Sequence, residues 1–183
     1  NLDYVFSVQE IIFCKKILDR INNVVEIGAG FGRTCHAILN NFNNIQTYTI
    51  IDIPEVQSLS KDYLQKVLTP ENFSKISFLE NFKAENAGNG LYINIDSLQE
   101  MDKDVAHNYL SLIDDKGDFF YSRNAVCKYD PSSIGMVNID KTEFKNAIST
   151  GICQEVVDIF DSKALDKARK EYLKKYKPSK GWK

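Results

Sequence analysis

Residues 26–32 read Glu26-Ile27-Gly28-Ala29-Gly30-Phe31-Gly32, and this stretch decides the fold. A short β-prone run, Val24 to Ile27, leads into it, and residues 33–42 resume a helical pattern after it. Glycines remove side chains from a tight turn, so that backbone N–H groups and a helix N-terminus can approach a ligand closely. The segment therefore predicts a strand, a glycine-rich turn and a helix, in that order.

The rest of the chain repeats this alternation of strand and helix. Further strands are predicted over 47–51, 75–79, 91–95 and 118–122, and helices over 5–20, 54–68, 102–113 and 162–176. This order indicates an α/β fold, a Rossmann-like doubly wound and mostly parallel sheet with a C-terminal helix. Residues 1–183 are expected to form a single domain that lacks an N-terminal segment of the full-length protein.

Composition and charge narrow the class of protein. The 183 residues are 43% hydrophobic and 26% charged, as in globular proteins, with no secretory signal and no apolar run of the roughly 20 residues that span a membrane. Four scattered cysteines and two histidines argue against a zinc site and indicate reduced thiols in a cytoplasm. Residues 163–183 carry nine Lys/Arg against two acidic residues (+7), which leaves −9 for the remainder of a chain of net charge −2. We interpret this tail as a solvated helix face, and no nucleic-acid partner is expected.

Two classes of cofactor compete for the glycine turn. The dinucleotide fingerprint G-x-G-x-x-G needs a third glycine where this sequence has Arg33. Glu26 precedes the turn, and its carboxylate would be costly beside a diphosphate but favourable beside the sulfonium cation of S-adenosylmethionine. Asp52 ends the second strand, where a carboxylate can accept hydrogen bonds from ribose hydroxyls, and it supports a nucleoside ligand of either class.

The pattern E-x-G-x-G-x-G is similar to motif I of the class I S-adenosylmethionine-dependent methyltransferases. Three further blocks resemble the sugar O-methyltransferases of bacterial surface-polysaccharide clusters: Ile51-Asp52-Ile53-Pro54-Glu55-Val56, Asn94-Ile95-Asp96-Ser97-Leu98-Gln99-Glu100-Met101 and Phe120-Tyr121-Ser122-Arg123-Asn124. The resemblance covers about residues 5 to 183. It implies S-adenosylmethionine-dependent O-methylation of a sugar hydroxyl, with a small-molecule or oligosaccharide acceptor.

The resemblance also implies which residues contact the cofactor. Carried over by position, they are Glu26, Gly28, Ala29, Gly30 and Asp52, with Ile53 packing on the adenine, Asn81 and Phe82 as further adenine candidates, and Ile95 beside the methionine portion.

Asp96 and Glu100 are the candidates for a general base that takes the proton of the acceptor hydroxyl. An equally weighted alternative has Asp96 holding the cofactor and Glu100 capping the next helix. Around the end of the fifth strand, Tyr121, Asn124 and Lys128 could bind hydroxyls or a phosphate of the acceptor, although a plain loop role stays open for each.

The sequence also leaves other interpretations of the site and of the function open. A divalent metal on Asp96 and Glu100 would lack a clear third ligand, so no metal is expected. His107 is a second conceivable base, and His36 is interpreted as a packing residue. Two functions of other classes compete with the methyltransferase: a non-catalytic module that binds S-adenosylmethionine, and an NAD-dependent oxidoreductase, against which Arg33 and Glu26 argue.

Overall fold

In a computed structural model of the chain, the residues described are 2–81, 83, 88–116, 119–124, 161–164, 166–167 and 170. The chain divides into two compact units, residues 1–124 and residues 125–183. In the second unit, residues 162–164, 166–167 and 170 are helical, inside the helix predicted over 162–176. The prediction of a single domain over 1–183 stays a prediction.

The first unit alternates strands with helices as the sequence predicts. Its elements are α1 (Leu2–Leu18), β1 (Asn23–Ile27), α2 (Arg33–Asn41), β2 (Thr47–Ile51), α3 (Pro54–Val67), α4 (Pro70–Ser74), β3 (Ile76–Leu79), β4 (Leu91–Ile95), a 3₁₀ turn (Leu98–Glu100), α5 (Lys103–Lys116) and β5 (Phe119–Arg123).

The five strands form one sheet in the order β3-β2-β1-β4-β5, and all four pairings are parallel. The chain therefore starts in the centre of the sheet, moves outward to β3, and returns to the other side of β1. This reversal between β1 and β4 is the switch point at which doubly wound sheets bind ligands. The predicted fold class is confirmed, and the sheet is parallel throughout its described strands.

Burial on both faces explains why β1 reads as a nearly continuous apolar run. Val24 packs in a cluster with residues of α1, α2 and α3, whereas Val25 and Ile27 point to the opposite face, where they pack with Ile113 of α5. Side chains alternate along a strand, so Glu26 lies on the same face as Val24, beneath α1 and α2. The glycine turn leaves the central strand between these two layers.

Several predicted boundaries need correction. Pro70 was expected to end a helix, but it starts the short helix α4, whose Thr69 side chain accepts a hydrogen bond from the Asn72 N–H. Residues 114–116 were expected in a turn, but they continue α5. The remaining ends agree with the predictions within one residue, apart from α1, which was predicted over 5–20 and runs from Leu2 to Leu18.

Most positions of the apolar patterns of α1 and α5 pack on the core, as Leu18 and Ile113 do, but some are exposed. In α1, Val8 and Ile12 are 55% and 65% exposed, while Ser7 and Glu10 are buried. In α5, the helical spacing puts Val105 on the same side as Tyr109 and Ile113, but Val105 is exposed. An apolar pattern does not show which polar residues find buried partners, as Glu10 does.

Candidate functional site

The three glycines of the turn after β1 share a backbone conformation but differ in the space around them. Gly28, Gly30 and Gly32 all have positive φ, of 71°, 57° and 91°, a region that L side chains rarely adopt. A Cβ on Gly28 would lie 2.1 Å from the Ser97 Oγ, and one on Gly32 would lie 2.7 Å from the Leu64 Cδ1. A Cβ on Gly30 would meet nothing within 4 Å. The turn therefore packs tightly at its two ends and presents open backbone in its middle.

Asp52 connects this turn to the end of β2. Its Oδ2 accepts a hydrogen bond from the Gly30 N–H at 2.9 Å, and its Oδ1 accepts one from the Ile53 N–H at 2.9 Å. Gln57 holds the same corner, since its Nε2 donates to the main-chain oxygens of Asp52 and Leu79. An ionised carboxylate offers about four lone-pair positions, so each Asp52 oxygen keeps capacity for a further donor.

Glu26 lies under the turn rather than at its surface. Its side chain is 2% exposed, and its Oε2 accepts a hydrogen bond from the Tyr48 hydroxyl at 2.7 Å. Burial raises the pKa of Glu26 to about 7, although hydrogen bonds from Tyr48 and Thr34 oppose that rise. The carboxyl group can therefore change its charge near neutral pH inside the sheet.

A buried amide fixes the turn after β4 to the glycine turn, and sequence reasoning did not single it out. The Asn94 Nδ2 donates to the Ile27 carbonyl oxygen at 2.9 Å and to the Ser97 Oγ at 2.6 Å. The Asn94 Oδ1 accepts from the Leu98 N–H at 3.3 Å and from the Asn124 Nδ2 at 2.7 Å. An asparagine inside an otherwise apolar strand was the available signal, because a buried amide has to find partners.

Both candidate bases lie at the carboxyl end of β4. Asp96 follows the strand with φ of 57°, the one positive φ of a residue other than glycine among those described. Its N–H donates to the Arg123 carbonyl oxygen at 2.8 Å. Glu100 ends the 3₁₀ turn, and both side chains are exposed. Unusual backbone conformations of this kind concentrate at functional sites, which draws attention to Asp96.

Two arginines share one buried carboxylate beside the turn. Glu10 of α1 is 3% exposed, and its Oε1 lies 3.1 Å from both the Arg33 Nη2 and the Arg123 Nη1. Burial raises the pKa of Glu10, and the two guanidinium groups oppose that rise. Arg33, which breaks the dinucleotide fingerprint, therefore joins the start of α2 to α1. The sequence signal was a glutamate in line with Cys14 and Leu18, one and two turns further along the buried side of α1.

The structure places the remaining cofactor candidates as follows. Ile53 is 59% exposed directly after Asp52, so its side chain can accept an apolar ligand surface. Asn81 is exposed after β3, while Ala29 and Ile95 are partly buried against the core. Phe82 lies outside the described residues.

The three residues predicted to bind the acceptor lie in different surroundings. Tyr121 lies inside β5 and packs against Phe13 of α1, with 5.5 Å between ring centroids, so it does not sit in the loop after the strand. Asn124 follows β5 and bonds to Asn94 and to the Ser122 Oγ. Lys128 lies outside the described residues.

His36 does more than pack. Its Nδ1 lies 2.9 Å from the Tyr63 hydroxyl, which also contacts the Tyr4 hydroxyl, and burial lowers the pKa of the imidazole. Phe31 of the glycine turn packs edge-on against Tyr63. His107, the other conceivable base, is a partly buried residue of α5. No group of three His, Cys, Asp or Glu residues within the described part of the chain is arranged to hold a metal ion.

Comparison with known proteins rests on structure. No protein-family model and no curated protein sequence matches this chain. Solved structures do match it, among them the methyltransferase domain of bacterial CtHen1 (TM-score 0.51, 17% identity, 60% of each chain covered). The mitomycin 7-O-methyltransferase MmcR matches with a TM-score of 0.51, 18% identity, and coverage of 72% of this chain and 43% of that one. The fold is a Rossmann-like methyltransferase fold.

A third match carries the same fold with another acceptor atom. The glycopeptide N-methyltransferase MtfA, solved with S-adenosyl-L-methionine, matches with a TM-score of 0.50, 13% identity, and coverage of 62% of this chain and 52% of that one. The chain thus spans 43 to 60% of the length of these three structures. Because one fold carries both O- and N-methylation, the acceptor has to be argued from the site. No helix among the described residues has the length and apolar character needed to cross a membrane.

Proposed function

We propose that this chain binds S-adenosylmethionine and methylates a hydroxyl group of a sugar acceptor, in the biosynthesis of a surface polysaccharide. The observation that carries the proposal is the open backbone at Gly30, held by the Asp52 carboxylate at the switch point of the sheet. Such a turn admits a ligand to the backbone, and the carboxylate beside it suits a ribose.

The residues around the turn suit a cationic cofactor. When bound, S-adenosylmethionine supplies an electrophilic methyl group on a sulfonium cation. Asp52 would accept hydrogen bonds from the ribose, and the exposed side chain of Ile53 would pack on the adenine. Exposed carboxylates at Asp96 and Glu100 would give the methionine end a negative environment, which favours a cation and disfavours a diphosphate.

Methyl transfer depends on holding the acceptor oxygen in line with the methyl group and on removing its proton. Asp96 is the stronger candidate for the base, because it lies at the switch point with a conformation fixed by the Arg123 carbonyl oxygen. Glu100, four residues later, is the second candidate. Sugar specificity rests on the resemblance of the sequence blocks around residues 51–56, 94–101 and 120–124.

Calorimetric titration of the full chain with S-adenosylhomocysteine tests the cofactor, and release of S-adenosylhomocysteine from S-adenosylmethionine on addition of a carbohydrate acceptor tests the reaction. We expect micromolar binding and acceptor-dependent turnover. Absence of binding would end the proposal. Binding without turnover on any carbohydrate acceptor would favour the alternative, a non-catalytic binding module.

Single variants then separate the two candidate bases. Asp96→Asn is expected to lower kcat about 100-fold, the scale of a lost general base, and to leave the Kd for S-adenosylhomocysteine within about threefold. Glu100→Gln tests the second candidate in the same assay. Asp104→Asn, an exposed carboxylate in the first turn of α5, is the matched control and should retain wild-type turnover. If Asp96→Asn and Glu100→Gln both retain wild-type kcat, neither carboxylate is the base.

A further inference from the structure

The arginine at the end of β5 is placed beside the candidate catalytic carboxylate. Arg123 is level with Ile95 in the parallel register of β5 and β4, and its carbonyl oxygen accepts the Asp96 N–H at 2.8 Å. Its side chain points toward α1, where it meets Glu10 and Phe6. The Arg123 backbone is therefore adjacent to Asp96, and its guanidinium group lies against α1 at the carboxyl end of the sheet, the end at which the acceptor has to bind in the proposed reaction.

The two arginines on Glu10 are held differently. Arg33 is 14% exposed, and its Nη2 lies 3.1 and 3.2 Å from the two carboxylate oxygens of Glu10, so its charge faces inward. Arg123 is 43% exposed and makes one hydrogen bond to the same carboxylate, from Nη1 at 3.1 Å. Of the two guanidinium groups on Glu10, that of Arg123 is therefore the one that reaches the surface.

Arg123 is also fixed in position for recognition. Its guanidinium carbon lies 4.7 Å from the centroid of the Phe6 ring, and a guanidinium stacked on an aromatic face loses little rotational freedom when it binds. Of its five N–H donors, one is given to Glu10, and its contacts within the described part of the chain leave donors on the exposed side of the fork. A planar fork of this kind suits carboxylate or phosphate oxygens, which it can bind through two parallel hydrogen bonds.

We propose that Arg123 binds an anionic group of the acceptor, so that the substrate is an acidic sugar, a sugar phosphate or a sugar linked to a nucleotide rather than a neutral one. The shared chemistry is a pair of anionic oxygens, and a phosphate or a carboxylate can supply them. The inference rests on the proposed function for the presence of a sugar acceptor, and it adds the charge of that acceptor. Arg123 thereby determines specificity, and the transfer of the proton stays with the carboxylates after β4.

The test compares three probes on the full chain saturated with S-adenosylhomocysteine: glucose 1-phosphate, glucuronate and glucose. We expect at least one anionic probe to bind about tenfold more tightly than glucose by calorimetry, which is the scale of one hydrogen bond to a charged group. The ratio between the two anionic probes distinguishes phosphate from carboxylate as the recognised group. Equal affinity for all three probes, or no binding of either anion, would overturn the proposal.

Variants assign the preference to this residue. Arg123→Gln should bring the anionic and neutral probes within twofold of each other, and Arg123→Lys should recover part of the preference because it keeps the charge. Arg20→Gln is the matched control. Arg20 is an exposed arginine just after α1 and close to the amino end of β1, whereas Arg123 lies at the carboxyl end of β5, and the variant should keep the wild-type ratio. An unchanged preference in Arg123→Gln would refute the assignment.

Two further measurements distinguish failure of the anion site from failure of cofactor binding and from a loss of stability. Affinity for S-adenosylhomocysteine is measured first, and its absence counts against the proposed function and not against the anion site. Since Arg123 also connects β5 to α1, Arg123→Gln could lower stability, so the unaltered chain is titrated by NMR as well. The Arg123 and Asn124 amide signals should shift with the preferred anion and stay unmoved with glucose. Shifts confined to other residues would contradict the proposal.

Discussion

The three glycines of the turn meet two different physical requirements. Gly28 and Gly32 have no room for a methyl group, because Ser97 and Leu64 already occupy the space. Gly30 has the room, yet it adopts positive φ and donates its N–H to Asp52. Packing therefore explains two of the glycines, and the third leaves open space in which the proposed function places the cofactor.

Alanine substitutions at Gly28 and Gly30 should separate these two reasons. Gly30→Ala is expected to cost about 1–2 kcal/mol of unfolding free energy, from the positive φ alone. Gly28→Ala adds an overlap with Ser97, and overpacking of that kind costs about 1–3 kcal/mol more. Urea denaturation measures both values. Gly30→Ala should also weaken binding of S-adenosylhomocysteine at least about tenfold, because its methyl group would stand over the turn.

Equal loss of stability in the two glycine variants would contradict the claim that Gly28 is tightly packed and Gly30 is not. Undiminished binding in Gly30→Ala would remove the argument that the middle of the turn faces the cofactor.

Glu26 makes the stability of the fold depend on pH. Its pKa rises from the ordinary 4.5 to about 7 because burial disfavours the charged carboxylate. The folded chain thus holds this proton more tightly than the unfolded chain does. The resulting stabilisation is fully present below about pH 4.5 and is lost as the pH rises through 7.

Glu26→Gln should remove this dependence, because glutamine has no proton to lose and can still accept the hydrogen bond from Tyr48. At pH 8 we expect the variant to be more stable than the unaltered chain, by on the order of 2 kcal/mol. Urea denaturation from pH 5 to pH 8 checks this. Glu80→Gln, at an exposed carboxylate after β3, is the control and should keep the wild-type profile. An identical profile in Glu26→Gln would show that Glu26 does not titrate in this range.

At the scale of elements, the strands were readable from the sequence because they are short, apolar and bounded by glycine, asparagine or proline. β2 and β4 have the predicted bounds, and β1, β3 and β5 differ by one residue. Helix ends were less readable. The sequence Thr69-Pro70 can end one helix or cap the next, and it starts α4 because Pro70 fits the first turn of a helix.

The helix α1 shows what an apolar sequence pattern cannot predict. Large apolar side chains surround much of it, and Val8 and Ile12 face solvent while Glu10 is buried. The partners of the buried Glu10 are two arginines, which come from positions 23 and 113 residues further along the chain. A pattern within one helix carries no information about such partners, so the carboxylate between the arginines could not be predicted.

At the scale of the whole molecule, the shift of Tm on ligand binding distinguishes between the two cofactor classes. A ligand that binds only the folded state at 100 times its Kd adds about 2.7 kcal/mol, which for a chain of this size corresponds to roughly 5–10 °C in Tm. We expect S-adenosylhomocysteine to raise Tm by that amount and NADH to shift it by less than about 1 °C. A larger shift with NADH would favour the oxidoreductase instead.

A matched pair of variants tests whether that shift of Tm depends on Asp52. Asp52→Asn puts an amide where the Gly30 N–H and the ribose hydroxyls need an acceptor, and the shift with S-adenosylhomocysteine should fall by more than half. Asp62→Asn, an exposed carboxylate on α3, should keep the full shift. Equal shifts in the two variants would remove Asp52 from the proposed site.

The sequence by itself determined the α/β class, the order of strands and helices, and the glycine turn with Asp52 after the next strand, because these depend on local patterns of apolar, glycine and proline residues. The tertiary structure alone decided which groups meet at the turn. The Asn94 amide beneath it, the shared carboxylate of Glu10, and Arg123 beside Asp96 arise from contacts between distant segments. Hydrogen bonds and ion pairs of buried groups depend on partners that only folding brings within about 3 Å of each other.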